Sequence, residues 1–300
     1  MPSYSSHLAR EIATQPADWA AVRSRVDEAL TVLPAPGARV AVVGCGTSFY
    51  MAQAYATLRE QAGAGHTEAH AASEYPRNRR FDHVVAISRS GTTTEVIELL
   101  EQLRADGQTT TAIVATQGTA IPELATHAFL VPEVDEQSVV QTRFATTVLA
   151  LLRATLGEDL DQAIADAEAV LAEDEDTALA GVADADQLTF VGRGWTNGLA
   201  QEAALKLRES AQFWTEAYPA MEYRHGPISV TTEGGATWAF GEVPPGLADD
   251  VRATGAHFEH RDIDPLADLL RVHRLCLLKA ARAGVDPDRP RHLSRSIILS

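Results

Sequence analysis

The chain has 300 residues, 45% of them apolar and 22% charged, with a formal net charge of −16 at pH 7. That is the composition of a soluble globular protein with room for two domains, and the negative balance argues against a nucleic-acid partner, which would need a basic face. No apolar run reaches the roughly 18 residues of a membrane span, and MPSYSSHLAREIATQP lacks the apolar centre of a signal peptide. Two cysteines, Cys45 and Cys276, make neither a disulfide framework nor a metal cluster. The chain is therefore read as cytoplasmic, with no cofactor or metal and no membrane partner.

Residues 1–36 read as an N-terminal helical segment. An apolar run, ARVAVVG (38–44), then leads into CGTS and a long helical pattern, FYMAQAYATLREQA. A second run, HVVAIS (83–88), leads into RSGTTTEVIELLEQL, and two more, TTTAIVAT (109–116) and HAFLVPE (127–133), follow at spacings suited to strands alternating with helices. Continuous apolar strands of this kind imply a parallel sheet covered on both faces. The acidic stretch that follows is most simply a solvated helix face, and 158–180 is taken as a helical linker. The order then restarts with QLTFVG, a charged helix, ATWAFG (236–241), HFEH (257–260) and a final helix, LADLLRVHRLCLLKAARAGV, before a tail beginning DPDRPRHLSRS. The expected fold class is α/β: two flavodoxin-like halves, each a parallel β-sheet flanked by helices, over 37–157 and 181–300.

The chemistry concentrates in residues 190–227, FVGRGWTNGLAQEAALKLRESAQFWTEAYPAMEYRHGP. Gly192 and Gly194 allow a sharp turn from strand to helix. On that helix Glu202, Lys206 and Glu209 are spaced i, i+4, i+7 and share one face. Only two lysines exist in the chain, Lys206 and Lys279, so a lysine between two carboxylates stands out. A carboxylate held on a rigid helix suits proton transfer, whereas the plain alternative is a surface helix with weak charge pairs.

The first half carries anion loops. Cys45-Gly46-Thr47-Ser48 lies between a strand end and a helix start, and Ser88-Arg89-Ser90-Gly91-Thr92-Thr93 occupies the same place after the next of these strands. Each alone could be ordinary helix capping. Together they form two hydroxyl-rich turns at the carboxyl edge of one parallel sheet, a neutral cradle for phosphate.

These motifs resemble the sugar isomerase (SIS) domain family, in particular the isomerase half of the glucosamine-6-phosphate synthases. Further matches are REIATQP near the start, ASEYPR at 72–77, SVVQTRFATT at 138–147 and DRPRHLSRS at 288–296, so the resemblance covers nearly the whole chain. It implies that Glu209 moves a proton between C1 and C2 with Glu202 and Lys206 in support, and that His225 in EYRHGP assists ring opening. It implies that Ser48, Ser88, Ser90 and Thr93 hold a sugar 6-phosphate, with Gly46, Thr47, Arg89 and Gly91 lining the turns. It also implies a homodimer in which His225 reaches the neighbour's site.

The departures from the family pattern are informative. No glutaminase domain is expected before residue 37. The tail position at which the family carries an imine-forming lysine is Arg295, whose guanidinium stays protonated and forms no imine, and Arg295 is expected among the substrate-binding residues. A family serine is replaced by Gln141. What remains is enough to open the ring of an amino-sugar 6-phosphate and take its C2 proton. A free 2-amino group then leads to isomerisation and deamination, while an N-acetyl group favours loss of the C3 hydroxyl as water. A sugar-phosphate sensor without catalysis is the third reading.

Overall fold

The computed structural model describes residues 5–299. The chain forms two compact units, neither of them contiguous in sequence: one comprises residues 17–136, 143–160 and 294–300, the other 1–16, 137–142 and 161–293. The elements run α1 (His7–Arg23), α2 (Val26–Leu30), β1 (Val40–Gly44), α3 (Thr47–Gln61), β2 (Thr67–Ala71), β3 (His83–Ser88), α4 (Thr94–Ala105), β4 (Thr110–Val114), α5 (Ala120–Leu124), β5 (His127–Leu130) and α6 (Arg143–Thr155). They continue with α7 (Asp161–Ala172), α8 (Glu175–Ala178), β6 (Gln187–Gly192), α9 (Thr196–Ala211), β7 (Thr215–Pro219), β8 (Gly235–Phe240), α10 (Leu247–Ala253), β9 (His257–Glu259) and α11 (Pro265–Ala283).

In the first unit five parallel strands lie in the order β2-β1-β3-β4-β5. The central strands read as unbroken apolar runs because helices cover both faces, so every residue of β1 and β4 is buried, whereas β2 and β5 at the edges are only partly covered. Val84, Ala86, Leu99 and Leu100 lie in one continuous core with Ala41, Val43 and Val114. Strand order reverses between β1 and β3, which places the turns after those two strands at the switch point, where such sheets bind ligands.

The second unit repeats the winding with four parallel strands, β7-β6-β8-β9. Its longest helix, α11, begins at the Asp264 cap, whose carboxylate accepts from Leu266 N–H at 2.8 Å, and ends at Gly284 in the left-handed region. Buried Arg271 ties α11 to the sheet: its guanidinium stacks on Trp238, 4.5 Å from the ring centroid, and bonds Asp268 at 2.8 Å and Glu259 at 2.5 Å.

The expected boundaries at 36/37, 157/158 and 180/181 follow chain continuity, and the compact units do not. The acidic stretch contains α7, which turns Ala163, Ala167 and Val170 inward and packs on α11 within the second unit. The terminal residues 294–300 belong with the first sheet, although the helix before them belongs to the second. Among the described residues no helix is long and apolar enough to cross a membrane.

One constraint recurs in both units. A Cβ on Gly44 would fall 2.7 Å from the backbone of Ser48, and one on Gly192 would fall 2.3 Å from the carbonyl of Thr196. Each glycine ends the first strand of its sheet and lets the next helix start against it. Gly192→Ala should therefore destabilise the protein by about 1–3 kcal/mol, the usual cost of overpacking, read as a lower melting temperature. An unchanged melting curve would show that the turn relaxes freely.

Candidate functional site

The hydroxyl-rich turns of the first unit lie where the sequence places them. Gly46, with φ of 54°, precedes α3, and Thr47 and Ser48 open that helix with both side chains buried. After β3 the chain folds on its own hydroxyls: Gly91 N–H donates to Ser88 Oγ and Thr92 N–H to Ser90 Oγ, each at 3.3 Å. Ser90 Oγ lies 3.5 Å from Thr93 Oγ1, which caps α4 without bonding to that helix's backbone. Ser88, Ser90 and Thr93 are thus brought together, beside helix starts whose first N–H groups have no intrahelical acceptor.

The terminal segment occupies this turn, which composition and motif spacing gave no reason to expect. Ser296 Oγ lies 3.1 Å from Ser90 Oγ, 3.0 Å from Thr92 Oγ1 and 3.5 Å from Thr93 Oγ1. Thr94 N–H donates to the Ile297 carbonyl at 3.1 Å, and Leu299 N–H to Thr94 Oγ1 at 2.9 Å. Arg295 directs its guanidinium to the Asp135 carboxylate, the Glu136 carbonyl and Thr116 Oγ1. Buried Arg89 donates to the Arg295 carbonyl at 3.1 Å and pairs with the fully buried Glu136 carboxylate at 3.4 Å. The guanidiniums of Arg89 and Arg295 both hold the tail in place.

The second unit brings the charged face of α9 together. Lys206 Nζ lies 2.5 Å from Glu209 Oε2 and 3.5 Å from Glu202 Oε1. Glu202 and Lys206 side chains are 1% exposed, whereas Glu209 keeps 20% of its side-chain surface. A lysine buried this deeply needs both carboxylates, and only Glu209 remains reachable from outside. Ser210 Oγ donates to the Lys206 carbonyl at 2.6 Å one turn earlier, so its hydroxyl is spent inside the helix.

His225 and Gln141 belong to the same unit but not to this cluster. His225 ends a short 3-10 turn (Glu222–His225), is exposed, and among the described residues makes no hydrogen bond or ion pair. Gln141 lies on a segment pinned by Glu11, whose Oε1 accepts from Gln137 N–H at 2.6 Å and Ser138 N–H at 3.3 Å. The Gln141 Oε1 atom is buried and has no hydrogen-bond partner among the described residues.

Two features escaped sequence reasoning. His273, on the apolar face of α11, is buried with its Nδ1 3.1 Å from Gln15 Nε2. Burial first, and the Lys206 charge second, push its pKa down to about 3. Nothing in VHRLC distinguishes it from a surface histidine. Cys45, beside the first hydroxyl-rich turn, has its thiol pushed up to about 11, chiefly by burial and then by Glu95, so it is no nucleophile at neutral pH. Among the described residues no group of three or more His, Cys, Asp or Glu could hold a metal ion.

Comparison with known proteins gives a coherent picture. Residues 35–156 match the model of the SIS domain. The chain is 26% identical over 308 residues to a glutamine–fructose-6-phosphate aminotransferase (isomerizing) of Sulfolobus acidocaldarius, covering 91% of this chain and 52% of the relative. It is 28% identical over 345 residues to the enzyme of that name from Methanothermobacter thermautotrophicus, covering 99% of this chain and 58% of the relative. The chain thus spans little more than half the length of these relatives. Among solved structures, the glucosamine-6-phosphate deaminase of Thermotoga maritima shares the fold with a TM-score of 0.81 at 21% identity, over 98% of this chain and 100% of that one.

His273 gives this unit a definite acid response. A histidine with a folded pKa near 3 and an ordinary unfolded value binds fewer protons when folded, so stability is intact above about pH 6.5 and is lost as pH falls towards 3. His273→Gln should flatten the stability–pH curve between about pH 6 and 4 by up to about 1.4 kcal/mol per pH unit. Identical slopes for the two proteins, from denaturant unfolding at several pH values, would mean that His273 is not held neutral.

Proposed function

We propose, from the SIS domain that the chain carries at residues 35–156, an enzyme that acts on an amino-sugar 6-phosphate by ring opening and proton abstraction at C2. The outcome is aldose–ketose isomerisation with deamination. The observation that carries the reading is the unequal burial of the α9 cluster: Lys206 joins two carboxylates, and only Glu209 keeps an open face. The names of the relatives and of the deaminase neighbour support the substrate class, since all refer to hexose 6-phosphates.

In this reading the phosphate takes the hydroxyls of Ser48, Ser88, Ser90 and Thr93. Gly46, Thr47, Arg89 and Gly91 shape the turns, and Gln141 hydrogen-bonds near the sugar. His225 assists ring opening, supplied by a second copy of the chain in a homodimer. Glu209 takes the C2 proton of the open-chain aldehyde, and the electron pair moves into a C1–C2 enolamine. A proton delivered to C1 leaves an imine at C2. Water adds to that carbon, ammonia departs, and the product is fructose 6-phosphate when the substrate is glucosamine 6-phosphate. Lys206 balances the charge of the two carboxylates as the proton arrives, while Arg295, held by Asp135, serves to seat the tail.

One observation favours a second outcome. With a guanidinium at position 295, that position offers no amine to trap a keto sugar as an imine. An N-acetylated substrate deprotonated by the same base would expel its C3 hydroxyl as water instead.

Glu209→Gln keeps the shape and removes the base, so turnover should fall by roughly 10²-fold or more while the sugar phosphate still binds. Ser88→Ala and Thr93→Ala should each weaken that binding by roughly 10-fold, the loss of one hydrogen bond to a charged group, and leave binding of the unphosphorylated sugar unchanged. Proton NMR of glucosamine 6-phosphate and N-acetylglucosamine 6-phosphate with the protein in D₂O separates the outcomes. Ammonia with fructose 6-phosphate supports deamination, an unsaturated N-acetyl sugar supports dehydration, and tight binding with no C2 exchange would replace the enzyme by a sensor. Mixing inactive Glu209→Gln and His225→Ala chains should restore part of the activity if His225 acts across a dimer.

A further inference from the structure

A cavity of about 200 Å³ lies in the first unit, lined by Arg77, Asn78, Arg79, Arg80, Gln102 and Gln108 among others. Its place in the fold separates it from the hydroxyl-rich turns. Arg80 precedes β3 by three residues, Gln108 precedes β4 by two, and Gln102 is in the last turn of α4. The cavity therefore opens at the amino edge of the strands, while the hydroxyl-rich turns lie at their carboxyl edge. Helix α4 runs from one to the other, starting at Thr94 beside Thr93 and ending at the cavity, about 18 Å away for 12 residues.

The cavity's charge runs against the rest of the molecule. In a chain of net charge −16, three of the four residues 77–80 are arginines. Their commitments differ. Arg79 is paired with Glu68 and lies over the Phe81 ring at 5.2 Å. Arg77 donates to the neutral amide oxygen of Gln102, so its charge is not offset there. Arg80 makes no hydrogen bond or ion pair among the described residues. Asp106 also lines the cavity and offsets one positive charge. With Glu68 and Asp106 set against three arginines, a net positive charge remains. Favourable interaction with the carbonyl end of α4 accounts for Arg77 alone; Arg80, exposed like Arg77, Asn78 and Arg79, keeps its charge open to solvent and to any anion at the cavity mouth.

We propose that this cavity is a second anion site, taking a small phosphate-bearing ligand through Arg77 and Arg80. Guanidinium forks match phosphate oxygens in pairs, and the side-chain amides of Asn78 and Gln108 supply neutral donors around them. The cavity volume suits a phosphomonoester or an inorganic diphosphate and is too small for a nucleic-acid strand. This site stands independently of the reaction proposed above, because it shares no residue with it.

The test uses the full chain with Ser88, Ser90 and Thr93 all changed to Ala, which disables the carboxyl-edge turn, and measures binding by calorimetry in 0.15 M NaCl. Inorganic pyrophosphate is one probe and glucose 6-phosphate the other, so that a free inorganic anion and a sugar phosphate are distinguished. One bound anion per chain is expected from at least one probe, weakened by about 10-fold or more in Arg80→Ala and abolished in Arg77→Ala/Arg80→Ala. Arg80 has no partner to lose, so Arg80→Ala should melt as the parent does, and Arg80→Lys should restore part of the affinity. Absence of binding by both probes overturns the proposal, as does binding that survives Arg77→Ala/Arg80→Ala unchanged.

Discussion

The second unit depends on one buried ammonium group. Lys206 is withdrawn from water almost completely, and such a charge is tolerated only when carboxylates replace the lost hydration. Helical geometry supplies them, since i−4 and i+3 are its neighbours on the same face. Removing either carboxylate leaves a buried charge short of a partner, at a cost of about 3–5 kcal/mol for a pair of this kind. The same arrangement fixes Glu209: its Oε2 is held by the lysine, and the carboxylate cannot swing to solvent without uncovering it. The neutrality of His273 follows first from its burial and then from the same charge, because a second cation beside Lys206 would be repelled. Glu209, Lys206, Glu202 and the neutral His273 thus form one electrostatic unit.

The first unit solves a different problem. A chain with a large negative balance repels anions at long range, so the phosphate site proposed above rests on short-range donors. Hydroxyls and backbone N–H groups provide these without adding charge. The two arginines nearest the turn are committed elsewhere, Arg89 to Glu136 and to the Arg295 carbonyl, and Arg295 to Asp135. Ser296 thereby rests among Ser90, Thr92 and Thr93, and a phosphate arriving at these hydroxyls must share them with the tail or displace it.

How much of this was legible in the sequence follows from the range of the interactions involved. The parallel sheets were legible because β1, β3, β4, β6 and β8 are buried on both faces and read as continuous apolar runs. The α9 cluster was legible because its three members lie within two helical turns. The seating of the tail was not, since Ser90 and Ser296 are 206 residues apart and their contact leaves no local pattern. Nor was the Gln15–His273 bond, which spans 258 residues. The stretch read as an acidic helical linker is helical, but its packing was hidden for another reason: α7 buries only Ala163, Ala167 and Val170, and its acidic outer face dominates the composition.

The two units share a winding but differ in the side chains at the switch point. After β1 and β3 the first unit offers Ser48, Ser88, Ser90 and Thr93. After β6 and β8 the second offers an exposed Arg193–Glu242 ion pair and Thr196. The Thr196 hydroxyl lies 3.0 Å from both the Arg193 and the Phe240 carbonyls, so it ties the turn together and is not available to a ligand. The second unit's turn is thus spent on itself, while α9, the helix after β6, carries a charged cluster that combines deep burial with one open carboxylate. In the first unit the corresponding helix, α3, has Arg59 buried instead, with its guanidinium donating to the Ala35, Ala38 and Gly65 carbonyls and to Thr67 Oγ1. A similar scaffold therefore presents hydroxyls in one unit and a partly open carboxylate in the other. The proposed reaction needs both: neutral donors to hold a phosphate, and an ionisable group to take a proton.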